Sequence, residues 1–146
     1  MDRIKQFHEA INREMVMTLA TAAGTSVTMR TVSPVEYGGK VLFFTGADSH
    51  KYRQLRENPN CCMSVGSFFA EATAAFCGRT MLPENEALRK AYCDKFPGAF
   101  DEGLAFGGRD AEFILLTPTR LTGWAFENDQ PTVDGIPTVP FALELN

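Results

Sequence analysis

From Met15 to Thr45 the chain alternates apolar and polar residues in three runs punctuated by glycine. MVMTLATAA ends at Gly24, TSVTMRTVSPVEY ends at Gly38-Gly39, and KVLFFT follows. Alternation at period two puts successive side chains on opposite faces of a strand. A glycine turn this short joins antiparallel neighbours, because a parallel return needs a crossover of about a dozen residues. In the second run Val27, Met29 and Thr31 share one face, and Thr28, Arg30 and Val32 share the other. Pro34 has no N–H to give to a ladder, so it marks a strand edge or a frayed end.

The rest of the chain extends this β pattern. Asn60–Phe68 and Glu71–Leu82 read as two long strands joined near Phe69-Ala70, and Glu112–Thr117 and Thr119–Phe126 as two more. The Pro- and Gly-punctuated tail supports only a weak strand near Phe141–Leu145. Asp2–Glu14 predicts a short amphipathic helix, with Ile4, Phe7, Ala10 and Ile11 recurring at helical spacing. A second helix follows Lys40–Thr45, capped by Asp48 or Ser49 and stopped by Asn58-Pro59, with Tyr52 and Leu55 facing the core. A third opens at Pro83 and runs to about Lys95. Between it and the last strands lies FPGAFDEGLAFGGRD, a loop long enough to be functional or loosely ordered. The fold class is mainly β with flanking helices (α+β), a six- to seven-stranded antiparallel barrel within a single domain spanning 1–146.

Composition narrows the function. The chain has 146 residues, 45% of them hydrophobic and 12 of them Phe, enough to fill one core. Its net charge of −4 argues against a general nucleic-acid surface, so any anion site must be local. No apolar run approaches the roughly 20 residues of a membrane span, and MDRIKQFHEAINREM lacks the apolar core of a signal peptide. Cys61, Cys62, Cys77 and Cys93 form no C-x-x-C pair, and the neighbours Cys61 and Cys62 point to opposite strand faces. They read as free, mostly buried thiols of a cytoplasmic protein. His8 and His50 have no cysteine partners at zinc-site spacing, so no metal is expected.

The stretch VLFFTGADSHKYRQLRENPN carries the chemistry. A strand runs into a helix whose first turn holds His50, Lys51 and Arg53. Cations at the positive end of a helix dipole cost about 0.3–1 kcal/mol each when exposed. The third helix obeys the dipole rule instead, with Glu84 and Glu86 early and Lys90 and Lys95 late. The first-turn cluster is either a solvated face, with Asp48 neutralising Lys51, or a phosphate site. In a phosphate site the N–H groups of Ser49–Lys51, the Ser49 hydroxyl and the Lys51 ammonium would face the anion. Arg30, in mid-strand, is a surface residue or a second phosphate ligand. Trp124 is packing, or a stacking wall for a planar ligand. Glu71, Asp110 and Glu112 are too loosely placed to assign as an acid–base pair, and neither a P-loop nor a G-x-G-x-x-G fingerprint is present.

The ordered set of motifs resembles the FMN-binding split-barrel family typified by pyridoxamine 5′-phosphate oxidase. Its carriers here are Leu19-Ala20-Thr21, Gly24, Arg30, Val32, Phe44-Thr45, Ser49, Lys51, Leu55 and Asn58-Pro59. The resemblance implies a split β-barrel binding FMN. The phosphate would be held by Arg30, Ser49 and Lys51, beside His50, and the ring lined by the backbone of Arg30, Thr31, Val32, Phe44 and Thr45. It also implies a homodimer with the site at the interface, where an aromatic matching Trp124 comes from the other subunit. Thr25-Ser26 replaces the family's usual Pro after Gly24. The tail DGIPTVPFALELN carries no Arg, Lys or His, which argues against pyridoxamine phosphate as substrate. The His50-Lys51 pair resembles the nitroimidazole-reductase branch.

Three functions follow. One is an FMN-dependent oxidoreductase acting on a small molecule with a separate electron donor, with no catalytic side chain assigned. Another is a flavin carrier or electron-transfer protein. The third is a relative binding haem or a deazaflavin, for which His8 and His50 are the only imidazoles.

Overall fold

Helix α1 (Arg3–Arg13) begins where the Asp2 carboxylate accepts a hydrogen bond from the Lys5 N–H at 3.0 Å. It buries Phe7, Ala10 and Ile11, as its periodicity predicts, while Ile4 stays half exposed. The structure, a computed structural model, describes residues 2–103, 107–125 and 139–145. Eight strands follow α1 among these: β1 (Met17–Ala23), β2 (Ser26–Val32), β3 (Val35–Tyr37), β4 (Lys40–Thr45), β5 (Asn60–Val65), β6 (Phe68–Arg79), β7 (Glu112–Ala125) and β8 (Val139–Glu144). Helix α2 (His50–Glu57) lies between β4 and β5, and α3 (Glu86–Lys95) follows β6.

All the pairings are antiparallel, in the order β2-β1-β5-β6-β7-β4-β3, with β8 added to β7. Strand β7 is where the sheet divides. One of its edges pairs with β6 along most of its length. Its other edge pairs first with β4, from Glu112 to Leu116, and then with β8, from Arg120 to Ala125. The expected split barrel is therefore the fold that forms.

The strand count differs from six or seven for two local reasons. Ser33-Pro34 interrupts the long second run, so it becomes β2 and β3. Conversely, Pro118 does not end a strand. It sits at a register shift where Glu71 pairs with Arg120 but Ala72 pairs with Pro118, leaving Thr119 as the extra residue of a bulge. A bulge is one of the few places a sheet accepts proline, so the two expected final strands are the single strand β7. Phe126, the expected end of that run, and Leu104–Phe106 of the glycine-rich loop lie outside the described residues.

Val41, Leu42 and Phe43 are all fully buried because β4 is covered on both faces. Val41 and Phe43 join the main core under α1, while Leu42 joins a second cluster with Leu88 and Tyr92 of α3. A continuous apolar run is what a strand buried on both sides requires. The four cysteines are free, but only Cys61 is buried. Cys62 lies on the outer face, and Cys77 and Cys93 are intermediate. Burial pushes the Cys61 thiol up to about 12. No described helix is long and apolar enough to cross a membrane.

Candidate functional site

The β4–α2 junction builds one end of the site. Ser49 caps α2, accepting the Tyr52 N–H at 3.3 Å, and its hydroxyl shares a 2.9 Å hydrogen bond with the Thr45 hydroxyl. The Ser49 N–H closes a turn onto Gly46 O at 3.0 Å. Of the three N–H groups expected to face an anion, only those of His50 and Lys51 are left without an acceptor among the described residues.

Lys51 follows at the second position of the helix. No described side chain pairs with it; Asp48 in particular makes no ion pair to it. Local neutralisation by Asp48 is therefore not what forms. Burial pushes the Lys51 ammonium below the usual lysine range, and the positive charge of Arg30 pushes it further. Arg30 is itself lowered by burial and also has no carboxylate partner among the described residues. Two cations from two elements thus share one region with no anion between them. A ligand dianion would relieve both.

Beside Lys51 opens a cleft of about 510 Å³, within the range of small-molecule and cofactor sites. Thr31, Val32 and Ser33 form one side and Phe44 the floor. The far wall is Tyr92, Lys95 and Phe96–Ala99, with Met15 at the rim. The floor is aromatic and braced: the Phe44 and Tyr92 rings are 4.9 Å apart, and Tyr92 and Phe96 5.2 Å. The wall is held from behind by Gly108. A Cβ there would lie 2.2 Å from Ala99 O and 3.2 Å from both Phe44 and Phe100, so no larger residue fits without moving the wall. No carboxylate of the described residues lines the cleft. Two of its polar groups are committed: the Tyr92 hydroxyl donates to Ser33 O at 3.0 Å, and Lys95 donates to three main-chain carbonyls.

The family described as pyridoxamine 5′-phosphate oxidase matches residues 4–125. The chain belongs to that family. Solved structures with the same fold include a NimC/NimA family protein from Clostridium acetobutylicum, 17% identical over 97% of this chain and 92% of that one, with a TM-score of 0.67. Another is an FAD-binding protein from Mesorhizobium loti, 13% identical over 83% and 92%, with a TM-score of 0.63. A third is HutZ, the haem storage protein of Vibrio cholerae, 14% identical over 89% and 100%, with a TM-score of 0.69. A comparison with curated proteins returned no match.

Within this pyridoxamine 5′-phosphate oxidase family member, the residues singled out from sequence divide into four groups. Thr31, Val32, Phe44 and Lys51 meet in the cleft. Thr45, Ser49 and Arg30 do not line it: Thr45 and Ser49 are hydrogen-bonded to each other at the β4–α2 junction, and Arg30 acts on Lys51 through its charge. His50 is exposed at the mouth of α2, without a partner among the described residues. Trp124 is not brought there by its own chain. Glu112, at the other end of β7, pairs with Thr45, and Trp124 lies about 40 Å further along the strand at about 3.3 Å per residue.

Sequence reading missed Lys95 and Tyr92, which come from a distant helix, whereas Phe96–Ala99 open the loop it marks as functional or loosely ordered. It also missed Gln54, whose side chain is 3% exposed and bonded to Thr21, Thr28 and Arg30. A polar residue on the apolar face of α2, between Tyr52 and Leu55, is the signal that would have found it.

Proposed function

We propose that the cleft binds FMN and that the protein is an FMN-dependent oxidoreductase acting on a small molecule with a separate electron donor. The observation that carries this is the pair Arg30 and Lys51, unpaired by any described carboxylate at the edge of an aromatic-floored cleft. The phosphate would lie at the start of α2, against Lys51, Ser49 and the charge of Arg30. Thr31, Val32 and Phe44 would line the ring. When bound, the flavin supplies the redox chemistry, and the chain supplies orientation and exclusion of water. Tyr92 and Lys95 already hold main-chain acceptors, so neither is assigned as a proton donor. That feature also suits the carrier reading, in which the protein only holds its flavin.

The proposal includes a homodimer. The outer sheet face exposes Val27, Met29, Phe69 and Trp124, with the small residues Thr18, Ala20 and Ser64 between them. Exposed apolar side chains of this size on a flat sheet face suit a second subunit, whose Trp124 would then complete the site.

The test is the visible spectrum of the purified protein and an FMN titration of wild type and Lys51→Ala. Flavin bands or stoichiometric binding, weakened about tenfold or more by Lys51→Ala, are expected; this is the loss of one charge-assisted contact. A colourless protein that ignores FMN would overturn the reading. A Soret band on adding haem would move it to the haem-binding reading, for which His50 beside Lys51 is an exposed imidazole.

A further inference from the structure

The side chain of Gln54 sits behind the two cations, on the buried face of α2. Its Oε1 accepts from the Thr21 hydroxyl at 2.5 Å, the Thr28 hydroxyl at 2.6 Å and Arg30 Nη2 at 3.4 Å. Its Nε2 donates to Ser26 O at 3.4 Å. The two threonines in turn accept from the guanidinium, Thr21 from Nη1 at 2.7 Å and Thr28 from Nη2 at 2.5 Å. The direction of every bond is forced. A guanidinium only donates, so each threonine accepts from it and must pass its own proton onward. The amide nitrogen cannot accept these protons or face the donating Nη2, and it has Ser26 O to donate to, which fixes the orientation of Gln54. Nη1 also donates to Leu19 O at 3.2 Å, leaving the Nε–H as the arginine donor without a partner among the described residues.

This arrangement holds an arginine rigidly without neutralising it. Every acceptor around Arg30 among the described residues is neutral: two hydroxyls, an amide and a main-chain carbonyl. A glutamate would have nearly the same shape as Gln54 but would form an ion pair with Arg30 and cancel the charge a ligand needs. We propose that Gln54 is a positioning residue for the anion end of the cleft. It orients Arg30 through Thr21 and Thr28 and, by being uncharged, reserves the arginine's charge for the phosphate of the ligand. This rests on the FMN reading above.

The experiment compares FMN with riboflavin, which has the same ring and no phosphate, on flavin-free protein. Lys51→Ala is the reference variant. Gln54→Glu should weaken FMN about tenfold or more while riboflavin stays within about twofold. The FMN defect relative to wild type should shrink at acid pH, where the new carboxyl protonates and becomes a near-isostere of the amide. Thr28→Val removes one link on the edge strand and keeps its shape. It should lower the FMN-to-riboflavin preference about threefold, and it decides the matter if Gln54→Glu does not fold. Equal weakening of both flavins by either variant would mean a merely structural role and would overturn the proposal. An unchanged preference in both variants, with Lys51→Ala still defective for FMN, would also overturn it and leave the FMN reading standing. A wild-type protein that binds no FMN would end both.

Discussion

Lys51 and Lys95 line the same cleft and are both half-buried, yet they have opposite surroundings. Lys95, in the last turn of α3, donates to Ile11 O and Glu14 O at 2.6 Å and to Pro34 O at 2.7 Å. Its three donors are matched by three carbonyls, two of them at the C-terminal end of α1, where a cation is favoured. Lys51, in the first turn of α2, has no described acceptor and a guanidinium nearby. The first lysine completes the fold, tying α1, the β2–β3 junction and α3 together. The second leaves the described fold with an uncompensated charge, which the proposed phosphate would compensate.

The largest effect should come from the completed lysine. Lys95→Met keeps the stem but leaves three carbonyls without their donor, at a cost of about 2–4 kcal/mol in unfolding free energy. Denaturant titration checks this, and a loss below about 0.5 kcal/mol would break the contrast, since surface substitutions lie in that range. Lys51→Met should show the reverse profile, with stability within about 0.5 kcal/mol of wild type. Its defect should be confined to FMN affinity and should shrink at high salt, where exposed charges are screened. A large stability loss in Lys51→Met would place it with Lys95 as structural.

The contrast also explains what could be read from the chain. The hairpins were legible because their determinants are local: alternation, Gly24 and Gly38-Gly39. Arg30 and Lys51 were legible because an unfavourable placement, cations against a helix dipole or in mid-strand, shows in one dimension. What completes the site depends on contacts across long stretches of chain. Lys95 reaches acceptors more than sixty residues away, and nothing near it in sequence announces them. Gln54 lies 24 residues from Arg30 and 33 from Thr21, and its role follows only from the direction of the hydrogen bonds. Pro118 was misleading for the same reason, since its tolerance comes from the bulge opposite β6.

The smallest effect is also the sharpest test of the comparison. Burial lowers both lysines, but Glu14 pulls Lys95 back up whereas Arg30 pushes Lys51 further down. Without ligand, folded Lys51 releases its proton below the unfolded value of about 10.4. Between those two values the unfolded chain binds more protons than the folded one, so stability rises with pH there. Below that window Lys51 is charged in both states and its penalty is fully present. The stability of wild type minus that of Lys51→Met should therefore climb as pH is raised towards about 10, a difference that cancels the other alkaline groups. FMN reverses the sign, because a phosphate beside Lys51 favours the charged amine, so affinity should fall over the same window. A flat stability difference would mean that Lys51 already has a partner in the folded chain, and its likeness to Lys95 would then outweigh the contrast.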